Sequence, residues 1–236
     1  MTDHGVVTMG DGKQYRLLEV KSSGTLSFNA DQVAKGLSLD IWACQGGYSG
    51  SNGSVDGSRR YGGSGGRGGN WFRMGMSPKL NTLIVVIGAG GNGTTSLRFD
   101  YGAFLRAQWA FYEFDMGGNL GGNNGNAGSF NYNYDTSSWQ YYASTPGGNG
   151  VYPFDDSTYF NRHCSGGGGG GVTSSGTGSG SLGGDYGAGR GARTQGQNAS
   201  ASNAIFYGAG GGGGDDGSNY PPGSGYQGVM YLRITA

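Results

Sequence analysis

The sequence predicts an all-β protein: a small β-sandwich or jelly-roll-like body with an inserted polyglycine II helix bundle and long loops. Three observations predict this fold class. Short apolar or aromatic runs end abruptly in glycines several times along the chain. Glycine supplies 56 of 236 residues, far above its average share of about 7%, and often recurs at every third position. Aromatic residues reach 13% and charged residues only 13%, whereas disordered chains combine high charge with few aromatics.

The apolar runs predict β-strands because they are short, rich in β-branched or aromatic residues, and bounded by glycines. In the run Leu37–Cys44, the residues Leu37, Leu39, Ile41 and Ala43 fall on one face by the strand period of two. The other predicted strands are Thr25–Phe28, Leu83–Ile87, Phe111–Met116, Tyr159–Cys164, Ala204–Tyr207 and Val229–Ile234.

The glycines between these strands follow a spacing of three, which is the period of a polyproline II-type helix. Such spacing lines one edge of an extended helix with glycine, so that neighbouring backbones approach closely and exchange hydrogen bonds. The alternative is that the glycines form flexible linkers. The clearest sets are Gly47, Gly50 and Gly53; Gly62, Gly65 and Gly68; Gly122, Gly125 and Gly128; and Gly211, Gly214 and Gly217.

The domain prediction is a single glycine-rich domain over residues 1–236. An N-terminal β segment covers residues 1–45, and a closing strand covers residues 229–236. Residues 46–228 interleave strands, polyglycine II runs and aromatic loops. A chain of this length fits one large domain.

Composition also bears on location and partners. Fifteen basic residues balance fifteen acidic residues, which argues against a general nucleic-acid binder. The longest apolar run, Leu83–Ile87, is far shorter than a membrane span, so no membrane insertion is expected. The N-terminus lacks the basic and apolar regions of a secretory signal, which predicts synthesis in a cytosol. Cys44 and Cys164 are too few for a disulfide framework; a single disulfide and two buried thiols both stay open.

Three motifs match enzyme or nucleic-acid signatures weakly. Gly88–Gly93 fits the dinucleotide pattern G-x-G-x-x-G, but the residues after it form a poor helix and chance matches are expected at this glycine content. Arg67–Gly69, with other basic residues nearby, resembles RNA-binding arginine–glycine segments, but it is a single triplet in a neutral chain, which favours a solvated rim or a docking patch for an acidic partner subunit. His163 and Cys164 are adjacent and would point to opposite faces of a strand. We therefore predict no catalytic residues, no metal site and no cofactor.

The most informative stretch is residues 129–165, which holds ten of the 30 aromatic residues. Asparagines and aspartates are interleaved with them, and tyrosine or tryptophan with small polar residues is the composition of binding loops. The alternative is that these aromatics cover the sides of the glycine bundle. A second candidate loop surrounds Tyr220. The candidate receptor-binding residues are Tyr132, Tyr134, Trp139, Tyr141, Tyr142, Tyr152 and Tyr220.

The strand-to-glycine junctions carry a resemblance to a known class of proteins. Val85–Gly93, Tyr207–Gly214 and the terminal strand Gly228–Ile234 resemble the glycine-rich tail proteins of bacteriophages, including tail-fibre tip adhesins with layered polyglycine II helices. A similar texture occurs in the glycine-rich extracellular region of anaplastic-lymphoma-kinase-type receptors. The resemblance covers residues 25–236 and is one of texture more than of invariant motif.

The resemblance implies a structural protein of a phage virion, at the tail or fibre tip, that attaches to the host through loops joining the glycine helices. Its implied partners are other tail subunits and a host-surface glycan or outer-membrane protein. It is compatible with a homotrimer or with a single subunit on a trimeric fibre. The alternatives are an architectural tail subunit without receptor contact and, with less support, an ice-binding or secreted glycine-rich protein.

Overall fold

The computed structural model describes residues 1–78, 81–91, 96–99, 122, 125–126, 129–133, 138–173, 183–184, 187–192, 200–216 and 220–235. Strand is the main regular structure of these residues, and all the strand pairs are antiparallel, which confirms the all-β prediction. In the described part of the chain, no helix is long and apolar enough to cross a membrane. The predicted strand Phe111–Met116 lies outside the described residues.

The described elements comprise twelve strands and two short helices. The strands are β1 Thr2–Thr8, β2 Gln14–Val20, β3 Gly24–Ser27, β4 Leu39–Cys44, β5 Ser54–Asp56, β6 Arg59–Tyr61, β7 Trp71–Met76, β8 Thr82–Val86, β9 Ser96–Phe99, β10 Ser129–Asn133, β11 Ser138–Tyr142 and β12 Val229–Thr235. The helices are α1, Ala30–Ala34, and a 3-10 helix, Pro153–Asp155.

A five-stranded sheet is assembled from both ends of the chain in the order β1-β2-β12-β4-β7. The closing strand β12 lies at its centre, with Leu232 opposite Leu18 of β2 on one side and Ile41 of β4 on the other. The predicted strands Leu37–Cys44 and Val229–Ile234 are therefore confirmed, the first of them from Leu39 onward.

The main core lies between this sheet and a three-stranded sheet of order β3-β8-β9. Leu39, Ile41 and Ala43 of β4 all face it, as their alternation predicts. Leu26, Leu83 and Val85 contribute from the three-stranded sheet. The strands predicted at Thr25–Phe28 and Leu83–Ile87 are confirmed with ends shifted by one residue. We call these two packed sheets the body.

The opposite face of the five-stranded sheet is also covered. Trp42, Cys44 and Tyr231 lie on this face, because they alternate with the residues that face the main core. Phe154 and Cys164, from the loop that follows β11, complete this second cluster. Burial on both faces explains why β4 and β12 read as almost continuous apolar runs.

Two predicted strands are wrong. Ala204–Tyr207 forms a turn between two glycine-rich segments, because Gly208 takes the left-handed φ of 68° and reverses the chain. Tyr159–Cys164 belongs to a turn after the 3-10 helix, and only Cys164 makes a β-bridge, to Val151. In both cases the aromatic side chains are partly buried against the second cluster, but their backbone does not pair with any described strand.

The segments between the strands, which we call the glycine segments, hydrogen-bond to one another at every third residue. The N–H groups of Gly63, Gly66 and Gly69 donate to the carbonyls of Gly214, Gly211 and Gly208, each at 2.7 Å. A β-ladder repeats every two residues, so the period of three distinguishes these contacts from sheet pairing. The described glycine segments are residues 45–53, 62–70, 88–91, 122, 125–126, 143–150, 165–173, 183–184, 187–192, 200–204, 208–216 and 220–228.

Close approach explains why these positions are glycine. A Cβ atom placed on Gly168 would lie 2.6 Å from the carbonyl carbon of Gly211, inside the 3.0 Å that real Cβ atoms respect. The obstructing atoms at such positions are backbone atoms of neighbouring segments, which cannot swing aside as a side chain can. Gly75 in β7 shows the contrast, since a Cβ there would meet no atom within 4 Å.

Candidate functional site

The glycine segments carry the chain away from the body and back again. Residues 45–53 leave β4 and reach β5, and residues 62–70 return from β6 to β7. Nine extended residues span at most about 30 Å. The hairpin of β5 and β6 therefore lies at the end of the glycine segments that is remote from the body, which we call the far end.

A four-stranded sheet of order β11-β10-β6-β5 occupies the far end. We call it the far sheet. Tyr61 of β6 pairs with Ser129 of β10, which joins the hairpin to the aromatic-rich stretch. Residues 122 and 125–126 lead to it, and residues 143–150 lead back, because Gly122 and Gly148 both contact Gly167 near the body. The far sheet therefore lies where the glycine segments that leave the body end.

Four of the predicted receptor-binding residues lie on the far sheet. Tyr132 stands opposite Trp139 in the pairing of β10 with β11, and Tyr141 stands opposite Phe130. By the strand period of two, these two cross-strand pairs occupy register positions on one face of the sheet. Tyr142 stands opposite Ser129, at a register position of the other face. Tyr134 lies outside the described residues.

Tyr220 also lies at the far end, where it begins the glycine segment 220–228 and pairs with Asp215 of another glycine segment. The Asp215 N–H donates to the Tyr220 carbonyl at 3.1 Å, and the Tyr220 N–H donates back to Asp215 Oδ1 at 3.2 Å. The Gly53 N–H donates to the Asp215 carbonyl at 2.9 Å, which ties this pair of residues to the start of β5. The structure thus brings Tyr220 to the same end as the far sheet.

Tyr152 lies at the opposite end, beside the body. It follows Val151, which pairs with the buried Cys164, and it precedes the 3-10 helix that packs on the second cluster. Its ring centroid lies 3.9 Å from that of His163. The structure therefore separates Tyr152 from the other candidates, although all but Tyr220 belong to one stretch of sequence.

The far end also holds buried charge that sequence reasoning missed. Asp215 and Asp216 are 2% and 6% exposed, and the Arg60 guanidinium pairs with Asp216 at 3.3 Å. Asp215 Oδ2 has no hydrogen-bond partner among the described residues. The sequence feature that could have indicated this buried charge is the position of two acidic residues directly after five glycines. No cluster of three or more metal-ligating side chains occurs in the described part of the chain.

The basic residues around Arg67 make internal contacts. Arg67 stacks over the Tyr48 ring at 4.9 Å and donates to its hydroxyl at 3.1 Å. Arg73 donates to both carboxylate oxygens of Asp40, at 3.2 and 2.8 Å. With Arg60 bound to Asp216, three of these arginines hold neighbouring segments together.

The remaining motifs also pack internally. Residues 88–91 contact other glycine segments: Gly88 accepts from the Gly228 N–H at 2.8 Å, and a Cβ on Gly46 would collide with the Ala89 carbonyl. Cys44 and Cys164 are buried in the second cluster and form no disulfide with each other. The structure thus favours buried thiols over a disulfide for this pair.

The sequence matches no protein-family model, and no curated protein matches it at a significant level.

Proposed function

We propose that the glycine segments form a polyglycine II bundle inserted into a β-sandwich body, and that the chain is a structural protein of a bacteriophage tail. The support for the bundle is the hydrogen bonding at every third residue between segments. The support for the sandwich is the core shared by two facing sheets. In this proposal the body anchors the chain to other tail subunits, and the bundle projects the far sheet outward.

We further propose that the far end binds a receptor on the host cell, either a glycan or an outer-membrane protein. One observation carries this proposal: the aromatic register positions of β10 and β11 lie at the end of the glycine segments remote from the body. Tyrosine and tryptophan offer large contact area at low entropic cost, which suits a recognition surface. A rigid stalk bonded through its backbone would present that surface with little loss of order on binding.

The test is binding of the fluorescently labelled protein to a broad panel of bacterial cells. One variant changes Trp139, Tyr141 and Tyr142 to alanine at the far end. The matched control changes Tyr152 to alanine, because it removes an aromatic residue of the same stretch at the opposite end. Circular dichroism and Tm establish that each variant is folded.

The expected result is strain-specific binding that the triple variant loses and the Tyr152→Ala variant keeps. Loss through Tyr152→Ala alone would move the receptor site to the body. Absence of binding across the panel, including strains that a phage with this protein infects, would favour the architectural tail subunit. The ice-binding alternative predicts thermal hysteresis, which the same purified protein tests directly.

A further inference from the structure

A cavity of about 230 Å³ lies beside the body, away from the far sheet. β1, β2 and β12 form its floor, and the turns at residues 159–162 and 205–207 form its walls. Its volume is below the range of about 300–1,000 Å³ that drug-sized ligands occupy, so its occupant would be about one ring in size. The lining residues that matter here are His4, Glu19, Tyr159, Phe160, Arg162 and Phe206.

The floor of the cavity carries a buried carboxylate. The Glu19 side chain is 8% exposed, and the Tyr231 hydroxyl donates to its Oε1 at 3.1 Å. Lys21 Nζ and His4 Nε2 lie 3.0 and 3.2 Å from its Oε2. A carboxylate offers about four acceptor positions, so these three contacts leave one for a hydroxyl group of a ligand.

The wall of the cavity carries a guanidinium. The guanidinium carbon of Arg162 lies over the Phe206 ring, 5.5 Å from the ring centroid. No carboxylate lies within ion-pair distance of it among the described residues. A cation–π contact of this kind uses none of the guanidinium N–H groups, so they stay available to bind a carboxylate in a bidentate manner. With Lys21 neutralising Glu19, Arg162 gives the cavity a net positive charge.

The rest of the wall is aromatic. Tyr159 and Phe160 meet edge to face at 5.0 Å, and both are half-buried, as is Phe206. Aromatic walls with a few fixed polar groups are typical of small-ligand sites. The apolar C–H face of a sugar ring would bury against them, while its hydroxyls reach the carboxylate.

We propose that this cavity binds one acidic sugar unit, a uronic acid, with its carboxylate on Arg162, its ring on the aromatic wall and a hydroxyl on Glu19. The site lies apart from the receptor surface of the far sheet, so the two proposals stand or fall separately. It would give the protein a contact with acidic polysaccharide close to the body, in addition to the receptor surface of the far sheet.

The experiment is an NMR titration of the purified full chain with D-galacturonic acid. D-galactose differs only in having a CH₂OH in place of the carboxylate, and acetate carries the carboxylate alone. Galacturonate should shift the resonances of the cavity residues with a Kd on the order of 1 mM, as expected for a one-ring ligand. Galactose and acetate should each bind at least about tenfold more weakly, since each lacks part of the contact.

Two variants locate the site. Arg162→Gln should weaken galacturonate by about tenfold to a hundredfold while leaving galactose unchanged, because a charge-assisted pair is lost. Arg59→Gln removes the same charge from an exposed position of β6 at the far end and should leave both sugars unchanged. Equal binding of galacturonate and galactose, binding of acetate as tight as galacturonate, or an unaffected Arg162→Gln variant would each overturn the proposal.

Discussion

Single glycines in this molecule differ in what they contact, and that difference predicts their tolerance to substitution. Gly168→Ala places a methyl group against the Gly211 backbone and should lower the free energy of unfolding by about 3 kcal/mol or more. For a chain of this length this corresponds to a Tm lower by roughly 10 °C. Thermal unfolding followed by circular dichroism measures the shift.

Gly75→Ala is the matched control, because its methyl group would meet no atom within 4 Å. It should leave Tm unchanged or raise it slightly, since alanine restricts the unfolded chain. Equal effects of the two substitutions would show that the glycine segments are not packed backbone to backbone in solution.

Glu19 predicts a pH dependence of stability. Burial alone would raise its pKa, but the contacts with Lys21, His4 and Tyr231 outweigh burial and hold that pKa below its usual range. A carboxyl whose pKa is lower in the folded state stabilises the protein. This contribution is fully present at pH values above the pKa of the unfolded state, about 4.3 for glutamate. That contribution is lost as the pH falls through the lower, folded-state pKa.

Glu19→Gln should therefore cost about 1–3 kcal/mol at pH 7 and progressively less below pH of about 4. Urea unfolding of both proteins at a series of pH values measures the difference. Asp31→Asn at the exposed start of α1 serves as the control, and its difference from the parent protein should be small across the series. If the difference in free energy of unfolding between Glu19→Gln and the parent protein were constant with pH, Glu19 would not have a lowered pKa in the folded state.

The two cysteines should be unreactive in the folded protein. Both thiols are buried, at 0% and 1% exposure, and burial is the largest cause that raises the pKa of Cys164. Since the thiolate is the reactive form, burial suppresses the labelling of both cysteines, and the raised pKa further suppresses that of Cys164. Titration with a thiol reagent should detect no thiol in the native state and two in denaturant under non-reducing conditions. Detection of none in denaturant would instead identify a Cys44–Cys164 disulfide.

At the scale of elements, the strands that could be predicted were those buried by packing against other elements, because burial requires an apolar sequence. β4, β8 and β12 bury one or both faces, so their sequences alone carry the signal. β1 was predicted only as part of the N-terminal β segment 1–45, without bounds of its own, because its residues are almost all exposed and its extended form depends on pairing with β2. Ala204–Tyr207 was wrongly predicted as a strand because its aromatic side chains, Phe206 and Tyr207, anchor a turn to the second cluster. A run of apolar residues therefore indicates that a segment is buried, but a buried segment does not always form a β-strand.

The candidate site was predictable in composition and only partly in position. Sequence spacing grouped Tyr152 with Tyr132, yet the segment 143–150 returns the chain to the body between them. Tyr220 joins the far end through hydrogen bonds with Asp215, which no local pattern indicates. The direction in which each glycine segment runs decides these placements, and that direction depends on pairing between segments distant in sequence.

At the scale of the whole molecule, the glycine segments and the body should unfold as one unit. Ordering glycine has a large entropic cost, which only mutually supporting contacts can offset. The glycine segments make such mutually supporting contacts. The Gly168 N–H donates to the Gly66 carbonyl, the Gly66 N–H to the Gly211 carbonyl, and the Gly69 N–H to the Gly208 carbonyl at the edge of the body. Breaking one segment would leave the polar groups of its neighbours unsatisfied, so partial opening is unfavourable.

Calorimetry should therefore give a single transition whose calorimetric and van't Hoff enthalpies agree. Hydrogen exchange should protect the amides of Gly66, Gly168 and Gly211 as strongly as that of Leu232 in the central strand β12. Flexible linkers would behave oppositely, with fast-exchanging glycines around a protected body. Because the glycine segments lead to the strands of the far sheet, protection of the glycines would also establish that the aromatic strands stand on a rigid support.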